Sequence, residues 1–410
     1  METYDAVDLF AGPGGWDLAA QNLGLSVLGI EWDRWACETR RAAGLPTVQG
    51  DVRDLDPLAP EYAAPGYIAS PPCQTFSMAG NGAGRQALEQ VLDGLNRIMW
   101  GISVPEYSDD RTALVLEPLR WIVARWRAGR PYEWIALEQV PTVLPVWEAM
   151  AEHLRYIGYT VETGALQAEQ YGVPQTRRRA ILVARRGAHQ GPLLPQPTHM
   201  RYKKGVPQSH TEGGLLPWVS MAEALGSIGQ HWEVTPGEAT VRTSMGEPKT
   251  DGRNGSHELD PASRPAHTVT TKAGEWRMRS NYGTNGNAQN RGHRDATEPA
   301  PTVTSKVDRN HWVPNVAVPG DTSWASERPS PTIVGSFSPD VVAAPGWRKA
   351  GDGPRQSQPG SIRVTRQEAQ VLQSFPEDYD VLGPKGKQFE QIGNAIPPKV
   401  AGAILGQVTR

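Results

Sequence analysis

The sequence predicts an α/β protein: a doubly wound, mostly parallel sheet, joined to a second, smaller and irregular β-rich domain. Three observations carry that expectation. Across the first 185 residues, short apolar runs alternate with stretches of helical periodicity, the pattern of a parallel sheet covered by helices on both faces. From residue 189 to 360 the chain is instead rich in Pro, Gly, Thr, Ser and Asn, with short β-like pieces and few helical ones. After residue 360 the helical pattern returns. The expected division is 1–188 for the sheet domain, 189–360 for the second domain, and 361–410 returning to complete the first.

The elements follow in order. "YDAVDLF" (4–10) reads as a buried strand and "WDLAAQNLG" (16–24) as a helix ending at Gly24. "LSVLGIEW" (25–32) is the second strand, and "DRWACETRRAAG" (33–44) a helix. Asp33 is its N-cap, because a short side-chain oxygen there can accept from the first unpaired helix N–H groups. A third strand precedes "QGDVRD" (49–54), and "GYIAS" (66–70), "PYEWIALEQ" (131–139) and "RAILVAR" (179–185) are further buried strands. Val115, Leu119, Ile122, Val123 and Trp126 share one helical face, with Pro118 early in that helix. An additional helix is expected over 85–99. "TRQEAQVLQSF" (365–375) and "PPKVAGAILGQV" (397–408), the latter opened by proline, are helices of the returning segment.

Composition narrows the function. With 38% hydrophobic and 21% charged residues, the chain of 410 residues has the make-up of a soluble globular protein. The opening "METYDAVDLF" lacks the basic and apolar regions of a secretory signal, and no apolar run approaches the roughly 20 residues of a membrane span. Cys37 and Cys73 are the only cysteines, too few for a disulfide framework or a zinc pattern, so no metal is expected and a reducing cytoplasm is. The net charge of −3 conceals an asymmetry: residues 1–165 hold 12 Arg, no Lys and 22 acidic residues, whereas the remainder holds 29 basic and 22 acidic residues. Such a split points to a polyanion as the partner of the second part.

Chemistry concentrates where strands should end. "VDLFAGPGGWDLA" (7–19) sets a glycine turn between the first strand and first helix, where a backbone can approach a ligand closely. The spacing of Gly12, Gly14 and Gly15 is not the dinucleotide-binding fingerprint, which argues against a nicotinamide-dependent oxidoreductase. Glu31, ending the next strand, could accept from ribose hydroxyls, and Asp51 could accept from an adenine amino group; both could equally be helix caps or surface charges. "SPPCQTFSMAGNGAG" (70–84) places Cys73 behind two prolines, whose fixed φ holds the thiol at little further entropic cost. A thiol attacks as thiolate and needs a charge or proton partner. Glu138 in "ALEQV" (136–140) and Arg177 and Arg179 in "QYGVPQTRRRAILVA" (170–184) supply candidates at the same sheet edge. A thiol, a carboxylate and two cations together suit chemistry on an electron-poor ring.

These segments resemble the cytosine-C5 DNA methyltransferase family, six motifs of which occur in order. They are "DLFAGPGG" (8–15), "EWD" (31–33), "GDV" (50–52), "PPCQTFS" (71–77), "LEQV" (137–140) and "QTRRR" (175–179). "RVTRQEAQVLQSFPEDY" (363–379) and "QIGNAIPP" (391–398) complete the set. The resemblance implies a Rossmann-like methyltransferase domain that binds S-adenosyl-L-methionine and releases S-adenosyl-L-homocysteine. It implies catalytic roles for Cys73, Glu138, Arg177 and Arg179. It assigns Asp8, Phe10, Gly12, Gly14, Gly15, Glu31, Trp32, Asp51, Val52, Pro72, Leu114 and Asn394 to the cofactor. One position departs: the family usually has Asn after the catalytic Glu, and here Gln139 is one methylene longer. The implied reaction adds Cys73 to C6 of a flipped-out cytosine and transfers methyl to C5.

The middle segment, 189–360, falls where the family keeps its target-recognition domain. Between 264 and 309 it carries eight basic and four acidic residues, among them Arg277 and Arg279, interspersed with Asn, Gln, Thr and His. It also holds a weak repeat, "RPAHTVT" (264–270), "EPAPTVT" (298–304) and "RPSPTIV" (328–334). The family's Thr-plus-aliphatic pair fits Thr332 and Ile333 best, with Thr302 and Val303 second; Gln74 and Ser77 are further expected DNA contacts. The expected partner is duplex DNA, with no membrane, a monomeric state and a cytoplasmic, nucleoid-associated location. A cognate restriction endonuclease would act as a separate protein. Two alternatives stay open, an RNA cytosine-C5 methyltransferase and a catalytically inactive DNA-binding regulator; intact Cys73, Glu138, Arg177 and Arg179 weigh against the second.

Overall fold

A computed structural model of the chain describes residues 3–72, 83–104, 113–203, 206–226, 328–331 and 362–410, together with short strands at 241–243, 257–259, 277–279, 293–295 and 341–342. The first half runs β1 (Ala6–Leu9), α1 (Gly15–Asn22), β2 (Val27–Glu31), α2 (Arg34–Ala42), β3 (Thr47–Gln49), β4 (Gly66–Ala69), α3 (Ala83–Trp100) and α4 (Glu117–Arg127). It continues with β5 (Trp134–Gln139), α5 (Leu144–Tyr156), β6 (Tyr159–Gln167), β7 (Gln175–Thr176), β8 (Arg178–Arg186) and the short α6 (Met221–Leu225). The C-terminal part adds α7 (Arg366–Leu372), α8 (Lys385–Asn394) and α9 (Pro398–Val408).

Seven strands make one sheet in the order β3-β2-β1-β4-β5-β8-β6. The first five are parallel, and β8 inserts antiparallel between β5 and β6. Alternation along the strands divides the core in two. Val7, Leu9, Tyr67, Ala69, Ile135 and Leu137 face α3, α4 and α5, whose Leu95, Ile122, Val123, Trp147 and Leu154 cover them. Ala6, Ile68, Trp134 and Ala136 face the other way, onto Trp16, Ala19 and Ala20 of α1 and Val400, Ile404 and Leu405 of α9. Strands buried on both faces account for the unbroken apolar run at 134–137 and for a run at 6–9 broken only by Asp8.

Local chemistry sets the helix limits. Asp33 is extended and its carboxylate accepts from the N–H groups of Trp35 (2.9 Å) and Ala36 (3.1 Å), capping α2. Thr365 and Glu368 form a reciprocal capping box at the start of α7. The helix expected over 85–99 is present as α3, and Val91, Leu95 and Met99 bury against α4 and α5. Elements beyond the sequence reading include the edge strand β6, the two-residue β7, the short α6, and α8, whose last residue is Asn394.

The chain forms two compact units, 1–229 with 323–342 and 363–410, and 230–322 with 343–362. In the second unit the described pieces are two antiparallel ribbons, β9 (Val241–Thr243) with β10 (His257–Leu259) and β11 (Arg277–Arg279) with β12 (His293–Asp295). In the first unit, β13 (Ser330–Pro331) pairs in parallel with β7, so the third repeat begins as a strand on the sheet domain. Among the described residues, no helix is long and apolar enough to cross a membrane.

From β1 the chain winds outward to β3, then returns to β4 on the other side of β1. That reversal opens a crevice at the carboxyl ends of β1 and β4, where open α/β sheets bind their ligands.

Candidate active site

The crevice begins at Phe10, the residue after β1, which holds φ near +60° against the preference of a side-chain-bearing residue. Gly12 follows with φ +54° and open space where a Cβ would lie. Gly14 and Gly15 are bare for a different reason. A Cβ on Gly14 would strike Leu45, and one on Gly15 would lie 2.3 Å from the Ile396 carbonyl. Only Gly12 therefore leaves the turn open to a ligand, whereas Gly14 and Gly15 let the protein close behind it. Tyr379 donates from its hydroxyl to the Pro13 carbonyl, fastening the returning C-terminal segment to the turn. Beneath lies the buried pair of Arg40 and Asp17, joined by bonds of 2.6 and 2.8 Å, with Arg40 also donating to the Ala11 and Pro46 carbonyls.

Glu31, at the end of β2, accepts from three backbone N–H groups, those of Gly12, Trp32 and Asp33, each at 2.8 Å. Burial raises its carboxyl, and these bonds oppose the rise. A carboxylate has about four acceptor positions, so one remains for a ligand hydroxyl. Trp32 is 69% exposed beside it and offers an uncovered ring. Asp51, after β3, is held by Arg53 in a bidentate pair of 2.6 to 3.1 Å, which keeps its carboxyl below the usual range. Val52 is buried and its carbonyl accepts from Arg120 at 2.7 Å. Asp8 lies within β1, fully buried, with neither carboxylate oxygen partnered among the described residues; burial pushes it well above the usual range. Leu114 opens a short 3-10 turn, Leu114–Leu116, and Asn394 is exposed at the end of α8. An open glycine, a free ribose-type acceptor and an exposed indole fit the nucleoside end of a cofactor.

The adjoining strand ends lead to Cys73 and carry Glu138, two of the residues expected to be catalytic. Ser70 follows β4; its N–H donates to the Leu9 carbonyl at 3.2 Å and its hydroxyl accepts from the Trp16 indole at 2.9 Å. Gln139, the last residue of β5, donates its amide to the Pro71 carbonyl and accepts from the Val140 N–H at 2.5 Å. The stretch before Cys73 is thus tied to β1, α1 and β5 as well as stiffened by two prolines. The preceding residue, Glu138, is buried and pairs with Arg179 through a contact of 2.8 Å from Nε to Oε1. Burial pulls the Arg179 guanidinium down and Glu138 opposes it.

Arg177 does not share this pairing. The strand is interrupted at that residue, and its fully buried guanidinium donates to the carbonyls of Gly393 (2.7 Å) and Ala395 (3.0 Å). Desolvation lowers it well below its ordinary range, with Arg179 adding to the effect. Cys73, Gln74, Ser77, Thr302, Thr332 and Ile333 lie outside the described residues. Arg277 and Arg279 belong to a backbone ribbon of the second unit, in register with Asp295 and His293. Pro72 is the last described residue before Cys73. Cys37 is buried in α2, donates to the Glu31 carbonyl at 3.3 Å, and has its thiol pushed up to about 11 by burial, the state of an inert core cysteine.

The sequence reading did not single out Trp16, Arg40, Gln373 or Tyr379, which hold the site from behind. All four lay inside quoted segments, Gln373 and Tyr379 in the same one (363–379), but nothing in the sequence paired them with the glycine turn or the end of α8.

The chain matches the profile of the family described as C-5 cytosine-specific DNA methylase over residues 4–93 and 133–410. It is 24% identical to Type II methyltransferase M.DdeI of Desulfomicrobium norvegicum, covering 98% of this chain and 88% of that protein. It is likewise 24% identical to Type II methyltransferase M.NgoFVII of Neisseria gonorrhoeae, covering 96% and 83%. Among solved structures, S. pombe Dnmt2 methyltransferase superposes with a TM-score of 0.52 at 14% identity, covering 99% of this chain and 98% of that one. Entamoeba histolytica methyltransferase EhMeth gives 0.51 at 11%, covering 100% and 98%, so both share the fold. The chain belongs to the C-5 cytosine-specific DNA methylase family.

Proposed function

We propose that the enzyme methylates C5 of a cytosine flipped out of a specific duplex DNA sequence, through a covalent bond from Cys73 to C6. The observation that carries this reading is the buried Glu138–Arg179 pair beside the anchored Ser70-Pro71-Pro72 segment. S-adenosylmethionine, when bound, supplies an electrophilic methyl group; Gly12, Glu31, Trp32 and Asn394 are the residues that would hold it. Asp51 would serve its adenine amino group once Arg53 yields part of its double contact.

Cys73 Sγ adds to C6, and the ring's electron density moves toward C5 and N3. Glu138, oriented by Arg179, holds the proton at N3 that stabilises this charge. Methyl transfer to C5, loss of the C5 proton and departure of Cys73 restore the aromatic ring. Arg179, the more accessible of the two arginines, would meet the base, whereas Arg177 is engaged with carbonyls. For the recognition pair, the pairing of Ser330–Pro331 with Gln175–Thr176 favours Thr332 and Ile333 over Thr302 and Val303, because Thr332 directly follows that strand. The Type II designation of the relatives supports reading the enzyme as the modification partner of a separate endonuclease.

Incubation with methyl-labelled S-adenosylmethionine and either duplex DNA or tRNA tests the substrate. Label in duplex DNA is expected; label in tRNA alone would overturn the reading.

A further inference from the structure

The two arginines of the Gln-x-Arg-x-Arg segment are two residues apart in the chain, yet their partners differ. Arg179 meets a carboxylate of the reaction site, while Arg177 meets the end of a helix. The last carbonyls of a helix have no intrahelical partner, and a cation placed there is favourable. Arg177 fills that place for α8 from outside the helix: Nη1 takes the Gly393 carbonyl and Nη2 the Ala395 carbonyl, the residues on either side of Asn394. Gln373 donates to the same Ala395 carbonyl at 2.6 Å and accepts from Gln175 at 2.8 Å. Gln175 also donates to the Leu372 carbonyl at 3.3 Å, and Gln175, Arg177 and Gln373 are all buried. Asn394 itself remains exposed between two pinned carbonyls.

We propose that Arg177 and Gln373 are positioning residues for the cofactor, acting through Asn394, and that the two arginines of one motif therefore serve different ligands. The Gly393 carbonyl lies in the peptide plane before Asn394, the Ala395 N–H in the plane after it donates to the Gln391 carbonyl at 3.1 Å, and the Ala395 carbonyl pins the plane beyond. The backbone is thus held on both sides of Asn394, and with it the direction its side chain leaves. This inference rests on the assignment of Asn394 to S-adenosylmethionine made above.

Calorimetric titration of S-adenosylmethionine into the full chain tests it, using Gln373→Met, Asn394→Ala, the double variant, Arg177→Lys and Arg179→Gln. Gln373→Met keeps the side-chain volume and is the arm that survives if Arg177→Lys fails to fold. The expected result is a Kd raised about tenfold by Gln373→Met and not raised further when it is added to Asn394→Ala, since residues acting through one group are non-additive. Arg179→Gln should leave the cofactor Kd within about twofold while lowering turnover, by the same logic of separate partners. A merely structural role for Gln373 would lower the unfolding midpoint without this dependence on Asn394. Wild-type affinity in Gln373→Met, or an undiminished penalty in the Asn394→Ala background, overturns the inference. Wild-type affinity in Asn394→Ala overturns instead the assignment beneath it, and the inference with it.

Discussion

Replacing Gln139 by Asn, the residue usual in the family, should impair this enzyme. The side chain bridges two backbones: its amide nitrogen reaches the Pro71 carbonyl across the sheet edge, and its oxygen takes the Val140 N–H. Asn is one methylene shorter and, on this backbone, can keep the local bond to Val140 but not the one to Pro71. The Pro71 carbonyl then loses a partner in a buried setting, a cost of about 1–3 kcal/mol. Part of that cost falls on stability and part on the placement of the residues leading to Cys73. If all of it were felt in the transition state, turnover would fall by a factor of about 5 to 150. Single-turnover methyl transfer, with the cofactor Kd and the unfolding midpoint measured on the same preparations, separates the two shares. The expected result is slower transfer at an unchanged cofactor Kd. Turnover and midpoint both equal to wild type would show that the Pro71 bond does not position the segment leading to Cys73.

Further outcomes follow from other groups. Arg40→Met leaves Asp17 buried without its partner and should cost about 3–5 kcal/mol in denaturant unfolding; a loss near zero would mean that the pair does not support the glycine turn. Burial raises the Glu169 carboxyl from its ordinary 4.5 to about 7, with Arg201 and Arg328 opposing. The folded chain therefore favours the protonated form, so this contribution is complete below pH 4.5 and is lost as pH rises through 7, about 3 kcal/mol at most. Glu169→Gln should flatten that slope in melts between pH 5.5 and 8, and an unchanged slope would refute it. Binding to duplex DNA should weaken on the order of 10³-fold between about 50 and 200 mM salt if several phosphates are neutralised; a flat response would remove the electrostatic basis for recognition.

The sheet domain was legible because its central strands are apolar on both faces, a signal that survives without any partner in view. β6 escaped because "YTVETGALQ" is half-exposed along most of its length and shows no sustained alternation. α8 escaped because it buries only two large apolar side chains, Phe389 and Ile392, and between them Gln391, which is satisfied by Thr39 and the Leu382 carbonyl, partners remote in sequence or visible only in the fold. The site was legible as a set of residue types but not as a set of pairings. Spacing two apart puts Arg177 and Arg179 on one face of an ideal strand, yet the break at Arg177 sends that guanidinium to the end of α8. Likewise three glycines of one turn looked alike, and only the packing of Leu45 and Ile396 separates Gly14 and Gly15 from Gly12.

The central claim is methylation of cytosine C5 in DNA by way of Cys73. Bisulfite sequencing of DNA from cells expressing either the wild-type chain or Cys73→Ser tests it most directly. Protected cytosines at one recurring sequence with the wild type, and none with the variant, are the predicted result. Protection that persists with Cys73→Ser, or its absence with both, would contradict the account.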